Sequence, residues 1–227
     1  MKTKSNTIKP IKIGWSLILT VILLAGLTAV ALAATNIDLT TEGVVRTHNS
    51  AIFIQGPLPT SAGTGLINPF LRIGANMEVV AGYNTDYRPL QFQEDSPWTE
   101  ALLISNIGLV EYGGKLYREL ILDINQMRTE PEWFLTLDEL KLFVSNTNML
   151  TGYNPGAETF VGGSSLKIWD LDVGVDDYNI KMNYMLEAGS GDSDVTFLIP
   201  EELFAGYECD YGQPGCTNYL YVWSLFG

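Results

Sequence analysis

The stretch YRELILDI, Tyr117–Ile124, sets the fold class. Leu120, Leu122 and Ile124 recur at every second position, with Asp123 between the last two. A period of two residues is typical of a β-strand with one face buried, and it does not fit an amphipathic helix. The segment 180–186, IKMNYML, alternates in the same way.

Other extended segments are bounded by Gly, Pro, Asn and Ser, the residues that favour turns. We predict strands at 50–55, 66–73, 77–81, 101–105, 107–112, 115–124, 135–145, 166–171, 178–187, 194–199 and 218–226. Single helical turns also fit 139–144 and 201–204. Many short strands with punctuated connections predict an all-β chain, a jelly-roll-like β-sandwich.

The amino-terminal segment has the pattern of an export signal. Four lysines precede an apolar run from Ile13 to Leu32, which closes with Ala31-Leu32-Ala33. Signal peptidase cuts after such a small-x-small sequence. We therefore expect residues 1–33 to be a cleaved signal helix and residues 34–227 to form a single secreted β-sandwich domain, extracellular or periplasmic. The run could also span a bilayer, so a retained anchor is the alternative.

The predicted mature chain is strongly acidic. The leader holds four of the 13 basic residues and none of the 26 acidic ones, so nine basic residues remain and the formal charge is −17. The negative electrostatic field of such a chain disfavours nucleic acid and anionic membrane surfaces as partners. We also expect no stable membrane span in the predicted mature chain. Divalent cations are partners that suit this negative charge. The simpler interpretation is that the charge keeps an exported protein in solution.

Few residues suit catalysis. His48 is the sole histidine and stands in the polar segment RTHNS, which argues against a serine-histidine triad and against histidine-based zinc sites. Cys209 and Cys216 are the two cysteines, and the turn-rich segment between them predicts a disulfide. With 26 acids, some pair would suit glycoside cleavage by chance, so that pattern does not discriminate.

Calcium is the cofactor that the acidic loops favour. A turning backbone that carries closely spaced carboxylates can present several oxygens to a hard cation. The stretch LDINQMRTEPEWFLTLDEL (122–140) fails the helix-loop-helix calcium template, because Arg128 stands where Gly is required and Phe134 where Glu is required. Its acids can also simply face water. The candidate ligands are Asp123, Asn125, Asp138, Asp170, Asp172, Asp192 and Asp194.

Three tryptophans are candidates for binding sugar rings. Trp98, Trp133 and Trp169 each lie near a predicted strand end or loop. An exposed indole offers a flat apolar face to a sugar, although a tryptophan at a strand end more often packs in the core or at its rim.

Two sequence resemblances support the predicted β-sandwich. LDELKLF (137–143) resembles a short strand of jelly-roll lectins and carbohydrate-binding modules, in which the aspartate can help to hold a structural calcium. GTGLINPFLRI (63–73), GYNTDYR (82–88), YRELILDINQ (117–126), LTLDEL (135–140), IWDLD (168–172), AGSGDSD (188–194) and LYVWSLFG (220–227) together resemble secreted bacterial β-sandwich proteins that often carry a carboxy-terminal Pro-Glu-Pro (PEP-CTERM-type) sorting anchor. This chain stops at Gly227, so we expect free secretion or periplasmic residence.

Three functional classes follow. The first is a non-catalytic extracellular or matrix-associated β-sandwich that calcium stabilises, with extracellular polysaccharide or matrix proteins as partners. The second is a carbohydrate-binding module. The third, ranked last, is a polysaccharide hydrolase with two carboxylates. An aromatic strip on one surface would favour the second class, and two acids facing each other across a cleft would favour the third.

Overall fold

The computed structural model describes residues 34–58, 69–74, 77–126, 133–186, 193–209 and 215–227. Residues Ala34–Gly227 form one compact unit by their contacts. The predicted leader lies outside the described residues. No helix with the length and hydropathy of a bilayer span occurs in the described part of the chain.

The described residues form fourteen strands and three short 3-10 turns. The turns are Ser96–Trp98, Ile104–Asn106 and Glu201–Phe204. The strands are β1 (Thr35–Leu39), β2 (Val45–His48), β3 (Ala51–Gln55), β4 (Val80–Tyr83), β5 (Leu102–Leu103), β6 (Leu109–Tyr112), β7 (Lys115–Leu122), β8 (Phe134–Ser145), β9 (Tyr153–Asn154), β10 (Thr159–Phe160), β11 (Leu166–Asp170), β12 (Tyr178–Asn183), β13 (Val195–Pro200) and β14 (Tyr219–Phe226).

Two sheets make the sandwich. The larger sheet has the order β1-β12-β8-β14-β4, with β11 also pairing β8 and β5 also pairing β14. The smaller sheet has the order β2-β3-β13-β7-β6, and β9 and β10 form a separate hairpin. Every described strand pair is antiparallel except β1 with β12. The all-β sandwich that the alternation predicts is confirmed.

The main core draws on strands of both sheets. Leu120 of β7 and Phe197 of β13 join Leu142 of β8 and Ile180 of β12 in one buried cluster. Lys181, between the buried Ile180 and Met182, is only partly covered, as a period of two requires. Burying such apolar surface stabilises the fold by about 25 cal/mol per Å².

Some predictions of single elements are confirmed and others are wrong. The 3-10 turn at 201–204 is confirmed, but the helical turn at 139–144 is wrong, because these residues lie inside β8. The strand predicted at 66–73 is also wrong where it is described, since from residue 69 onward it contributes one isolated bridge, between Ile73 and Glu94. Strands β1 and β2 were missed. His48 ends β2 instead of lying in a turn, with Nε2 2.7 Å from the Leu171 carbonyl.

A buried arginine joins several elements. Arg118 of β7 is 1% exposed. Its Nε and Nη2 donate to the two carboxylate oxygens of Glu201 at 2.5 and 2.8 Å, and Nη2 also donates to the Cys209 carbonyl at 2.9 Å. Nη1 donates to the carbonyls of Ile104 and Ile107 at 2.8 and 3.2 Å. All five N–H donors of the guanidinium are therefore used.

The predicted disulfide is present. Cys209 and Cys216 are bonded, with their Cα atoms 6.1 Å apart. Because the Cys209 carbonyl accepts from Arg118, the disulfide is attached to β7 at Cys209.

Replacing Arg118 tests its part in the fold. We expect Arg118→Met to lower the free energy of unfolding by about 3–5 kcal/mol, because it leaves one carboxylate and three carbonyls without their donor. Urea unfolding of the purified protein measures this change. The matched control is Arg46→Met at an exposed arginine of β2, expected to change stability by less than about 0.5 kcal/mol. Equal effects of the two substitutions would contradict the role given to Arg118.

Candidate functional site

An acidic pocket crosses the larger sheet. It has a volume of about 540 Å³ and draws on β8, β12 and β14, on the residue before β1 and on the connection from β11 to β12. Strand order explains the grouping, since β1, β12, β8 and β14 are successive neighbours. The lining residues are Ala34, Asp138, Glu139, Asp172, Asp177, Asn179 and Leu225.

The acids of this pocket are arranged by local hydrogen bonds. Asp172 Oδ1 accepts from the backbone N–H of Tyr178 at 2.9 Å, which folds the connection before β12. Burial raises the pKa of the Asp172 carboxyl, and the neighbouring charge of Asp170 adds to the effect. Asn179 Oδ1 is buried and has no hydrogen-bond partner among the described residues. The pocket thus combines a surplus of negative charge with an unused acceptor.

The structure separates the predicted calcium ligands into two groups. Asp138 and Asp172 line the acidic pocket. Asp194 lies instead against the end of β7, where its Oδ2 accepts from the Ile124 N–H at 2.7 Å, between Asp123 and Asn125. Within the described ranges, no three carboxylate, histidine or cysteine side chains lie close enough to hold one metal ion.

Two other candidate ligands need separate mention. Asp170 is engaged by its own neighbours, since Oδ2 accepts from Lys167 Nζ at 2.5 Å and Oδ1 accepts from the Asp172 N–H at 3.1 Å. Asp192 lies outside the described residues.

An ion network around a buried lysine borders the acidic pocket. Lys141 of β8 is 3% exposed, and its Nζ lies 3.1 Å from Glu139 Oε2 and 3.1 Å from Glu158 Oε1. Burial alone would lower the pKa of the Lys141 ammonium, but the bonds to the two glutamates outweigh burial and raise it. Trp223 Nε1 also donates to Glu139 Oε2 at 2.7 Å. Lys141 therefore bridges Glu139 and Glu158, and the three groups together keep a net negative charge.

This network does not have the chemistry of a glycosidase pair. A general acid needs a carboxyl whose pKa is raised. Hydrogen bonds from Lys167 and then Lys141 instead lower the pKa of the Glu158 carboxyl. Glu139 and Glu158 are bridged by one ammonium, so they act as structural counter-ions.

The segment between β4 and β5, residues 84–101, carries two exposed aromatic residues and is called the aromatic loop below. Tyr87 and Trp98 are 37% and 47% exposed. Arg88 fixes the loop from inside, since Nη1 donates to the carbonyls of Thr85 and Tyr87 at 2.8 and 2.9 Å and Nη2 donates to those of Ser96 and Thr99 at 3.2 and 2.6 Å. One guanidinium thus holds the two ends of the loop together and presents both rings to solvent.

Asp86 adds a second anchor to the aromatic loop. Its Oδ1 accepts from the Ala101 N–H at 2.8 Å, and its Oδ2 accepts from Asn148 Nδ2 at 2.7 Å. The loop is therefore attached both near its own end, at Ala101, and to the connection that follows β8, which makes it a rigid carrier for its aromatic residues.

The other predicted tryptophans lie elsewhere. Trp169 is 4% exposed, packs in the main core and donates from Nε1 to the Asn49 carbonyl at 2.8 Å. Trp133 is half-buried against the same core, with its ring 6.2 Å from that of Phe134. Of the three, Trp98 is the most exposed.

Sequence reasoning did not select several residues of these two regions. Tyr87 and Arg88 form a Tyr-Arg-Pro segment, and a charged residue beside Pro in a predicted loop was the available signal. Asp177 stands in an acidic pair that the sequence shows, but Asn179 and Lys141 lie inside predicted strands. Their roles depend on strand neighbours that the sequence does not reveal.

Comparisons with known proteins found no matching family model, no similar curated protein and no similar solved structure. The fold and the two surface regions therefore define the class, an all-β sandwich with an acidic pocket and a rigid aromatic loop.

The ion network predicts a stability that depends on acid pH. Because the pKa of Glu158 is lowered in the folded state, its contribution is present above about pH 4.5 and is lost as the pH falls through the lowered value. We expect Glu158→Gln to cost on the order of 1 kcal/mol at pH 7 and to converge with the parent below that range. Urea unfolding at several pH values measures it. Glu42→Gln, at an exposed glutamate, is the control, and an equal loss there would contradict the assignment.

Proposed function

We propose that this chain is a non-catalytic, secreted β-sandwich protein of the extracellular matrix or periplasm that binds neutral polysaccharide through its aromatic loop. The observation that carries the proposal is the exposure of Tyr87 and Trp98 on a loop that Arg88 holds by four hydrogen bonds. Exposed aromatic rings on a rigid support bind with little loss of conformational entropy.

Secretion is supported by two features. The sequence Ala31-Leu32-Ala33 ends an apolar leader. The disulfide between Cys209 and Cys216 belongs to an oxidising compartment, such as the periplasm or the extracellular space. The non-catalytic assignment is supported by the bridging of Glu139 and Glu158 through Lys141 and by the lowered pKa of the Glu158 carboxyl.

The preference for neutral sugars follows from charge and ring chemistry. The apolar face of a pyranose can stack on an indole or a phenol ring without any ionic partner. The predicted mature chain has a formal charge of −17, so an anionic polysaccharide would be repelled during its approach. A neutral glucan or xylan meets no such barrier.

Affinity electrophoresis tests this proposal. We expect gels that contain soluble xylan or β-glucan to retard the exported protein, and gels that contain alginate to leave its mobility unchanged. Trp98→Ala should weaken the affinity for the polysaccharide about tenfold, equivalent to about 1.4 kcal/mol, because the larger stacking face is removed. Tyr87→Ala should weaken this affinity less.

The matched control for the aromatic loop is Tyr112→Ala. Tyr112 is 37% exposed, the same fraction as Tyr87, but it ends β6 at the edge of the smaller sheet. Retardation should be unchanged in this variant. A protein that passes all neutral polysaccharides freely, or that binds them equally well without Trp98, would contradict the proposal.

Calcium stabilisation is a separate part of the proposal. It is supported by the hydrogen bond from the Ile124 N–H to Asp194 Oδ2, which joins Asp194 to the segment that carries Asp123 and Asn125. Calcium takes oxygen ligands of this type, with backbone carbonyls completing the set. This group belongs to the smaller sheet and is distinct from the acidic pocket of the larger one.

Thermal unfolding in calcium and in chelator measures the calcium effect. At a calcium concentration 100 times Kd, stabilisation is about 2.7 kcal/mol, and for a domain of this size each kcal/mol raises Tm by about 2–4 °C. We expect Asp123→Asn to abolish the calcium-dependent rise and Asp138→Asn, in the acidic pocket, to retain it. Coincident midpoints for the parent protein with and without calcium would remove the ion from the proposal.

A further inference from the structure

The acidic pocket contains the first residue of the predicted mature chain. Ala34 is one of its lining residues. The next residue, Thr35, begins β1 and donates its backbone N–H to the Asp177 carbonyl at 2.8 Å. The parallel register then pairs Thr35 with Tyr178 and Asn36 with Asn179. Ala34 is thus held at the start of an edge strand, beside the acids of the β11–β12 connection.

The sequence places the signal-peptidase cut at the same residue. Ala31-Leu32-Ala33 is the small-x-small pattern, so hydrolysis separates Ala33 from Ala34. Water supplies the hydroxyl of the new Ala33 carboxyl group and a proton for the Ala34 nitrogen. The amine then takes a further proton from solvent near neutral pH, since an α-amino group has a pKa of about 7.7–8.0. Cleavage therefore converts a neutral amide into a cation with three N–H donors.

We propose that the acidic pocket is a binding site for the α-ammonium group that cleavage creates at Ala34. The inference rests on the export and processing that form part of the proposed function, and it is independent of polysaccharide binding. It assigns the pocket an occupant from this chain, where the composition alone would have pointed to a metal ion.

The acceptors of the pocket fit an ammonium group. Asp172 and Asp177 come from the connection that Thr35 contacts, and Asn179 lies on the strand that pairs with β1. The buried Asn179 Oδ1, which has no partner among the described residues, offers a neutral acceptor. An amide at Ala34 could satisfy one acceptor and would add no charge, whereas the ammonium donates three bonds and offsets the repulsion between carboxylates.

Other cations fit the pocket less well. Lys141, the nearest buried ammonium described above, is already shared between Glu139 and Glu158. Calcium requires six to eight oxygens at about 2.3–2.6 Å, and no three acids of the described residues are close enough to hold one ion. An ammonium needs only two or three acceptors at hydrogen-bond distance, and Ala34 is already in place.

The proposal links processing to stability. Before cleavage, the acids of the pocket repel one another and weaken the pairing of β1 with β12. After cleavage, the ammonium anchors the edge strand at its first residue. The mature chain is therefore more stable than the precursor, and the difference arises from a single hydrolysed peptide bond.

The test uses the full chain, expressed with its own leader in a bacterial host and purified after export. Intact mass first identifies the amino terminus. The rate of acetylation of the α-amine by acetic anhydride, followed by mass spectrometry from about pH 6 to pH 11, then gives its pKa. We expect a value at least one unit above the ordinary range, a tenfold change in proton affinity, because Asp138, Glu139, Asp172 and Asp177 line the same pocket as Ala34 and Lys141 offsets the charge of Glu139 only in part.

Two variants test whether the raised pKa of the α-amine comes from the pocket or from the overall negative charge of the protein. A Gly-Ser insertion between Ala34 and Thr35 moves the amine away without changing any acid, and Asp172→Asn with Asp177→Asn removes two acceptors. Each should return the α-amine pKa to about 7.7–8.0. Glu111→Gln, which removes one exposed charge on β6, should leave the raised pKa in place.

The pH dependence of stability provides a second measurement. Because the folded pKa of the amine is raised, its stabilisation is complete below about pH 7.7 and is lost as the pH rises through the folded value. The gap in Tm between the parent and the Gly-Ser variant should close over that range. A parent α-amine with an ordinary pKa, or an exported protein that retains residues 1–33, would overturn the proposal, whatever the polysaccharide experiment shows.

Discussion

The guanidinium of Arg118 is the constraint around which one end of the sandwich is organised. A buried arginine cannot lose its proton and must place five N–H groups, so the surrounding chain has to supply five acceptors without water. Glu201 supplies two, and the carbonyls of Ile104, Ile107 and Cys209 supply the others. The 3-10 turns Ile104–Asn106 and Glu201–Phe204 and the residue Cys209 therefore have positions relative to β7 that hydrophobic packing alone would not specify.

The charged side chains of the protein are also constrained by their partners. The predicted mature chain has nine basic residues for 26 acids, and several of them have fixed structural roles. Arg88 holds the aromatic loop, Lys141 bridges Glu139 and Glu158, Lys167 pairs with Glu158 and Asp170, and Arg118 neutralises Glu201. Cations used in this way cannot serve the pocket of Asp138 and Asp172. The structure thus concentrates unneutralised charge at one place and concentrates accessible aromatic surface at another.

The period-two pattern predicted the strands of the core well, because Leu120, Ile180 and Met182 are buried by alternation itself. It missed β1, since TNIDL is short and its partner β12 lies more than a hundred residues away. Acidic spacing identified Asp138 and Asp172, which strand order brings to one pocket, but it could not show that Lys167 engages Asp170. Trp169 was considered for a surface role because the sequence does not reveal the Asn49 carbonyl that satisfies its buried indole.

The order of the strands along the chain has a consequence for folding. Strand β14 follows every other described strand in sequence, yet it lies inside the larger sheet, between β8 and β4. A chain synthesised from its amino terminus therefore presents β4 and β8 long before the strand that separates them. Their facing edges stay open until β14 is available, and such edges are prone to pair with other chains. The topology thus leaves the centre of the larger sheet unpaired until β14 has been made.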